Sequence, residues 1–239
     1  MPVDGARVRS PNVALLIDAD QGGQAYLDAV LTVLAELGTV NIRRAYGNWS
    51  KPELSTWEPV FHAYAIMPMQ QFDIARKKNA TDMAMTIDAM DLLYSGRVDG
   101  FGLMSSDSDF MPLAMRIRQD GLPVYGFGKA KTPESFRQAC TRFIDVDALT
   151  RDAATPDSRG NVGEVDDALV ALLVDAYNAV KRDEKGFARL SEVGKIAGNR
   201  SSFDVRNYGY KRLSELIRAV PNFVTEVRDG SVVYVKRVH

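Results

Sequence analysis

Cysteine occurs once in this chain of 239 residues, at Cys140, and histidine twice, at His62 and His239. A single thiol excludes an internal disulfide and any cysteine-based zinc cluster. Two histidines leave little material for a His-rich metal site or a Ser-His-Asp triad. No apolar run approaches the ~20 residues that span a bilayer, so no membrane partner is expected. The opening MPVDGARVRSPNV lacks the apolar h-region of a secretory signal, and a cytoplasmic location is the expectation. By elimination, catalysis in such a chain runs through carboxylates. What is present is ordinary for a globular protein with a real core: 46% apolar and 26% charged residues, over a length that suits one to two domains.

The formal charge of −1 hides an asymmetry. Residues 1–180 hold 17 basic and 24 acidic side chains, whereas 181–239 hold 13 basic and 7 acidic. An acidic portion that could need metal is joined to a basic portion that could hold a nucleic acid.

Residues 1–149 alternate strand-like and helix-like segments. VALLI (13–17) reads as a buried parallel strand ending on Asp18. Residues 24–37 have helical spacing with Gly38 as C-cap, 40–46 form a second strand, and a short helix follows around 53–64. A third strand at 65–71 contains Pro68, which marks an edge. Then come a helix at 82–95, a strand at 101–106, a helix at 111–120, a strand at 123–127, a helix at 133–140 and a strand at 143–148. Alternation of this kind predicts an α/β domain with a doubly wound, mostly parallel sheet. Residues 150–163 are polar, contain Gly and Pro, and read as a linker. In 164–239 a helix at 165–180, a helix pair with a turn at 187–198 and a helix at 210–220 precede two alternating strands around Asp229-Gly230, a hairpin signal. Helices followed by a two-stranded ribbon suggest a second, smaller winged-helix domain.

Open α/β sheets bind ligands at the carboxyl ends of their strands, near a topological switch point. Asp18 and Asp20 stand past the first strand, and Asp107 and Asp109 past the strand at 101–106. If those strands are neighbours, four carboxylates converge, an arrangement that asks for a hard divalent cation such as Mg²⁺. Taken singly, each is an ordinary strand-end or helix-capping aspartate, Asp109 especially. At 100° per residue the 82–95 helix carries two apolar stripes: Met83, Ile87, Met90 and Tyr94, and Met85, Ala89, Leu92 and Leu93. Both read as core, with Asp88 and Asp91 on a solvated face. Asp82, in the first turn, joins the acidic site. Arg76, Lys77, Lys78 and Asn79 precede it and suit a phosphodiester, although a run of charge is more often a solvated face. Tyr46, Asn48 and Trp49 follow the second strand and reach toward the same crevice, with Trp49 more often a packing residue.

VALLIDADQ (13–21), RRAYGNW (43–49) and KNATDMAMTIDAMDLLYSGRVDGFGLMSSDSDFMPLAMRIRQDGLPVYGFG (78–128) closely resemble bacterial NYN domains of the PIN-like metal-dependent ribonuclease superfamily. The resemblance implies a PIN-like fold and an acidic, metal-binding and catalytic centre of Asp18, Asp82, Asp107 and Asp109. Gln21 stands where many relatives have Asn, which leaves Asp20 and Gln21 less secure. GFARLSEVG (186–194) and FDVRNYGYKRLSELI (203–217) resemble the OST-HTH, or LOTUS, domain, a winged helix associated with RNA binding and protein interactions. In that segment Arg206, Tyr208, Lys211 and Arg212 are the candidate RNA contacts.

The resulting expectation is Mg²⁺- or Mn²⁺-dependent hydrolysis of RNA phosphodiester bonds. Lys77, Lys78, Asn79, Asn48 and Lys129 would hold the substrate, and the C-terminal module would capture RNA and protein partners. The alternatives are a non-catalytic RNA-binding adaptor and, less favoured, an HAD-type phosphatase with Asp18 as nucleophile. The last lacks the separate Ser/Thr strand and Lys that such enzymes place downstream.

Overall fold

The structure is a computed structural model describing residues 10–21, 23–72, 79–150 and 165–238. The expected linker at 150–163 lies, apart from Thr150, outside the described residues.

The first unit runs β1 (Asn12–Asp18), α1 (Leu27–Ala35), β2 (Thr39–Gly47), α2 (Glu58–Tyr64), β3 (Met67–Gln70), α3 (Ala80–Tyr94), β4 (Gly100–Met104), α4 (Met111–Gln119), β5 (Val124–Gly128), α5 (Glu134–Ala139), β6 (Arg142–Asp145) and α6 (Val146–Thr150). The six strands form one sheet in the order β3-β2-β1-β4-β5-β6, and every pairing is parallel. Successive β1 side chains point to opposite faces. Ala14 and Leu16 join the core under α3, α4 and α5, while Val13, Leu15 and Ile17 join the one under α1 and α2. Both faces of the strand are buried, so from Val13 to Ile17 it carries no polar residue. Pro68 does sit on an edge strand, where its missing N–H breaks little of the ladder.

The chain builds outward from β1 to β3, then returns to the other side of β1 with β4. The topological switch point is therefore the β1/β4 pair, with Ile17 opposite Met104. The strands whose ends carry the two aspartate pairs are direct neighbours, which meets the condition for convergence.

The second unit comprises α7 (Asp167–Ala179), β7 (Ala188–Arg189), α8 (Leu190–Arg200), α9 (Leu213–Ala219), β8 (Phe223–Arg228) and β9 (Val232–Arg237), with a three-stranded antiparallel sheet ordered β7-β9-β8. The hairpin loop is the three residues Asp229–Ser231, with Asp229 and Gly230 both at positive φ (51° and 78°), backbone that aspartate and glycine tolerate better than most residues. Residues 187–198 are not a helix pair. A two-residue strand leads into the single helix α8, and Gly194 lies inside it. A Cβ there would stand 2.6 Å from Leu213 Cδ2, so the glycine permits close packing against α9 rather than ending a helix.

The two units touch through the edge strand β6. Phe143 N donates to Ser202 O (3.0 Å), Asn207 Nδ2 donates to Phe143 O (2.7 Å), and Asp145 N donates to Asn207 Oδ1 (2.9 Å). An exposed sheet edge is thus covered by backbone and side-chain partners from the second unit.

Candidate functional site

The loop after β4 runs Ser105-Ser106-Asp107-Ser108-Asp109. Ser105 is buried and does two jobs: its Oγ donates to Asp18 Oδ2 (2.9 Å) and accepts from Asp107 N (3.0 Å). The hydroxyl couples the ends of β1 and β4. Asp107 then caps a short 3₁₀ turn, its Oδ1 accepting from Asp109 N at 2.9 Å, so the capping role weighed for Asp109 belongs to Asp107. Gly128, ending β5, lies so close that a Cβ would stand 2.7 Å from Ser105 O. The first turn of α3 supplies Asp82 and also Thr81, whose Oγ1 donates to Asp20 Oδ2 (3.0 Å).

Asp18 is the electrostatic centre. It is 2% exposed, and its Oδ1 is buried without a hydrogen-bond partner. Burial pushes its carboxyl from 3.8 up to about 7; the Ser105 hydrogen bond pulls it down, and the charges of Asp82, Asp20 and Asp107 push it up again. Asp82 is raised too, by burial and then by the charges of Asp107, Asp109 and Asp20. Asp20 and Asp107 thus act on both Asp18 and Asp82, and Asp109 acts on Asp82.

Among the described residues no three acidic, imidazole or thiol side chains stand close enough to enclose an ion as they lie. The donor chemistry nevertheless fits a hard divalent cation: only carboxylate oxygens, mutually repelling, with one buried oxygen unpartnered.

The remaining candidates are placed as follows. Asn79 Nδ2 donates to Asp109 Oδ2 (2.9 Å), which puts it at the rim of the acidic group. Lys129 is exposed, and its backbone N donates to Ser106 Oγ (3.1 Å), beside the β4 loop. Asn48 Oδ1 accepts from Ser50 N and Gln70 Nε2, a loop-shaping role. Trp49 packs edge-on against Trp57 and Phe61. Lys77 and Lys78 lie outside the described residues. In the second unit Lys211 and Arg212 are exposed, Tyr208 is half-buried beside Phe203, and Arg206 is held by Asp204 and Glu36.

Three positioning residues escape sequence reasoning: Ser105, Thr81 and Lys51, whose Nζ stands 3.6 Å from Asp20 Oδ1. The only signal for Ser105 was its place at the end of an apolar strand. Lys51, past the second strand, had none.

The α3 assignment needs correction. Met85, Ala89, Leu92 and Leu93 are buried, but Met83, Ile87 and Tyr94 are exposed by 62%, 55% and 69%. Asp88 is no solvated residue: it accepts from Arg44 and from the Tyr46 hydroxyl of β2. Burial and then that hydrogen bond push the Tyr46 phenol up.

The NYN domain signature matches residues 12–147, more than half the chain. The chain belongs to the NYN domain family. An OST-HTH/LOTUS domain matches residues 163–235. NYN domains are nucleases and OST-HTH/LOTUS domains bind RNA, so the acidic confluence lies on a nuclease fold joined to an RNA-binding module. No curated protein matches the chain. Among solved structures, a protein of unknown function from Vibrio parahaemolyticus is similar, with a TM-score of 0.51 and 20% identity over 61% of this chain and 98% of that one. That likeness concerns the fold. No helix among the described residues is long and apolar enough to cross a membrane.

Proposed function

We propose that the protein is a divalent-metal-dependent ribonuclease that hydrolyses RNA phosphodiester bonds, with residues 1–149 as the catalytic unit and 164–239 as the RNA-capturing one. The observation that carries this reading is the unpartnered, buried Oδ1 of Asp18 at the meeting of five carboxylates on a nuclease fold. Asp18, Asp82, Asp107 and Asp109 would hold Mg²⁺ or Mn²⁺. Such an ion supplies Lewis acidity and charge neutralisation at the scissile phosphate. The chain's own groups do the rest. Ser105 keeps Asp18 turned toward the site while fixing the loop that carries Asp107. Asn79 orients Asp109. Lys51 and Lys129 place positive charge at the rim, where the flanking phosphates run. The second unit raises the local concentration of RNA at the first.

Asp107→Asn tests the reading, because it keeps the side-chain shape and an oxygen for the Asp109 N–H. Purified variant and parent are compared on single-stranded and structured RNAs with Mg²⁺ and Mn²⁺. Cleavage is expected to fall to background with the fold retained; full activity in the variant would sink the assignment. RNA binding by the parent without cleavage across both ions would make the protein an adaptor.

Ser105→Ala is expected to weaken metal-dependent cleavage by roughly 10- to 100-fold, since it removes the hydrogen bond that orients a ligand. A metal titration of activity should show the loss as a shift in half-saturating metal. An unchanged titration would reduce Ser105 to a packing role.

A further inference from the structure

On the sheet's β3 side, α3 and the end of β3 enclose a groove of about 450 Å³, walled by Met69, Met83, Ala84 and Ile87. Its polar lining is the half-buried Gln71 amide, the exposed Asp91 and the Asp88 carboxylate, the last engaged by Arg44 and Tyr46. We propose that this groove is a nucleobase pocket that favours bases carrying an exocyclic amine; the proposal rests on the ribonuclease reading above.

Three features favour a base over other occupants. First, the groove and the acidic centre share one helical turn. Ala80 and Met83 line the groove, whereas Thr81 and Asp82 belong to the acidic group. Consecutive Cα atoms are about 3.8 Å apart, well within the reach of one nucleotide from phosphate to base. The groove and the acidic group therefore adjoin along the first turn of α3.

Second, the described lining suits a base. Methionine, alanine and isoleucine side chains offer an adaptable apolar wall for stacking, and no Lys or Arg lines the groove among the described residues. Its polar groups are two carboxylates, an amide and the Tyr46 hydroxyl, which donates to Asp88. Carboxylates accept from the amines of cytosine, adenine and guanine, and uracil has no amine to offer. Asp88 is already spoken for by its two partners, so Asp91 is the acceptor at the rim and Gln71 the second polar reader.

Third, strand addition by a protein partner is blocked. The neighbouring edge, β3, is four residues long and contains Pro68, a combination that resists pairing with another strand.

The test uses the full chain in the Asp107→Asn background, which keeps the probes intact. Equilibrium binding of the fluorescent tetraribonucleotides UUAU, UUCU, UUGU and UUUU is measured with Mg²⁺. At least one amine-bearing probe is expected to bind tenfold or more tightly than UUUU. Asp91→Ala and Gln71→Ala should each bring that ratio below threefold, and Ile87→Ser should weaken the preferred probe. Equal affinities for all four probes, or a preference that survives both Asp91→Ala and Gln71→Ala, overturns the proposal. A concentration-dependent dimer that Ile87→Ser abolishes, with no base preference, would make the face an interface between copies and overturns it as well. The two readings fail separately. Absent cleavage with base discrimination intact removes only the ribonuclease; cleavage by the parent without discrimination removes only the pocket.

Discussion

Asp18→Asn is expected to raise the melting temperature of the metal-free protein at pH 8 by roughly 5 °C while abolishing cleavage. The carboxyl is pushed from 3.8 to about 7, first by burial and then by the charges of its acidic neighbours, against the pull of Ser105. A pKa raised on folding means that the native state holds a proton the unfolded chain has released. Below about pH 4 both states are protonated and no penalty exists. Between about pH 4 and 7 stability falls as pH rises, and above 7 the loss is complete, with an upper bound of about 4 kcal/mol. Asparagine cannot ionise, so the variant escapes that slope. Its carbonyl still accepts from Ser105, but its amide takes the place of the orphaned oxygen and costs ~1–2 kcal/mol unpartnered. The net gain is about 2 kcal/mol, and each kcal/mol moves the midpoint by ~2–4 °C at this chain length. Calorimetry in chelator from pH 4 to 8 should show the two proteins diverging above pH 5. Added Mg²⁺ should raise the parent's midpoint and move the variant's far less. A variant that melts below its parent at pH 8 would show that Asp18 is not a strained charge.

That same carboxylate shows how much of the site was legible beforehand. A fully apolar strand that stops on an aspartate has few physical explanations, and two such strands with aspartates at the same end narrow them further. The sheet order makes them neighbours, which no local pattern displays. Periodicity fared worse on α3, where it produces two equivalent apolar stripes. One meets the sheet; the other, with Met83, Ile87 and Tyr94, is left uncovered because the sheet ends at β3. Which stripe is core depends on the number of strands beyond, a global property. Asp88 was misread for the same reason, since its partners Arg44 and Tyr46 are more than 40 residues away. The helix pair expected at 187–198 is one helix, because a glycine that permits helix packing, as Gly194 does, and one that ends a helix are identical in sequence. The seam between the units depends on single side chains of Arg142, Asp204, Arg206 and Asn207, which carry no pattern at all.

Asp204→Ala is expected to cost about 2–3 kcal/mol and to undock the second unit from β6. Asp204 is 1% exposed and sits at the centre of the seam. Its Oδ2 accepts from Arg142 of β6 and from Arg206 Nη1, and its Oδ1 accepts from Arg206 N at 2.9 Å, which caps the turn beginning at Val205. Arg206 in turn pairs with Glu36, just past α1. Alanine leaves two guanidinium groups facing each other without the carboxylate between them. Breaking a wholly buried pair typically costs ~3–5 kcal/mol. Arg142 keeps 29% of its side chain in water and Arg206 keeps 14%, so solvent screening lowers the figure. Glu36 is 60% exposed, and Glu36→Gln should change stability by less than about 0.5 kcal/mol. The contrast separates a buried junction from a surface ion pair. Amide hydrogen exchange gives a residue-level reading: the Phe143 and Asp145 N–H groups donate to Ser202 and Asn207 across the seam. They should lose protection in Asp204→Ala, while the Ile17 and Met104 amides of the central strands should keep theirs. Protected edge amides together with an unchanged melting temperature would mean that Asp204 only caps its own turn. Loss of edge protection with retained cleavage of short RNAs would show that docking positions the RNA-binding unit without building the acidic site.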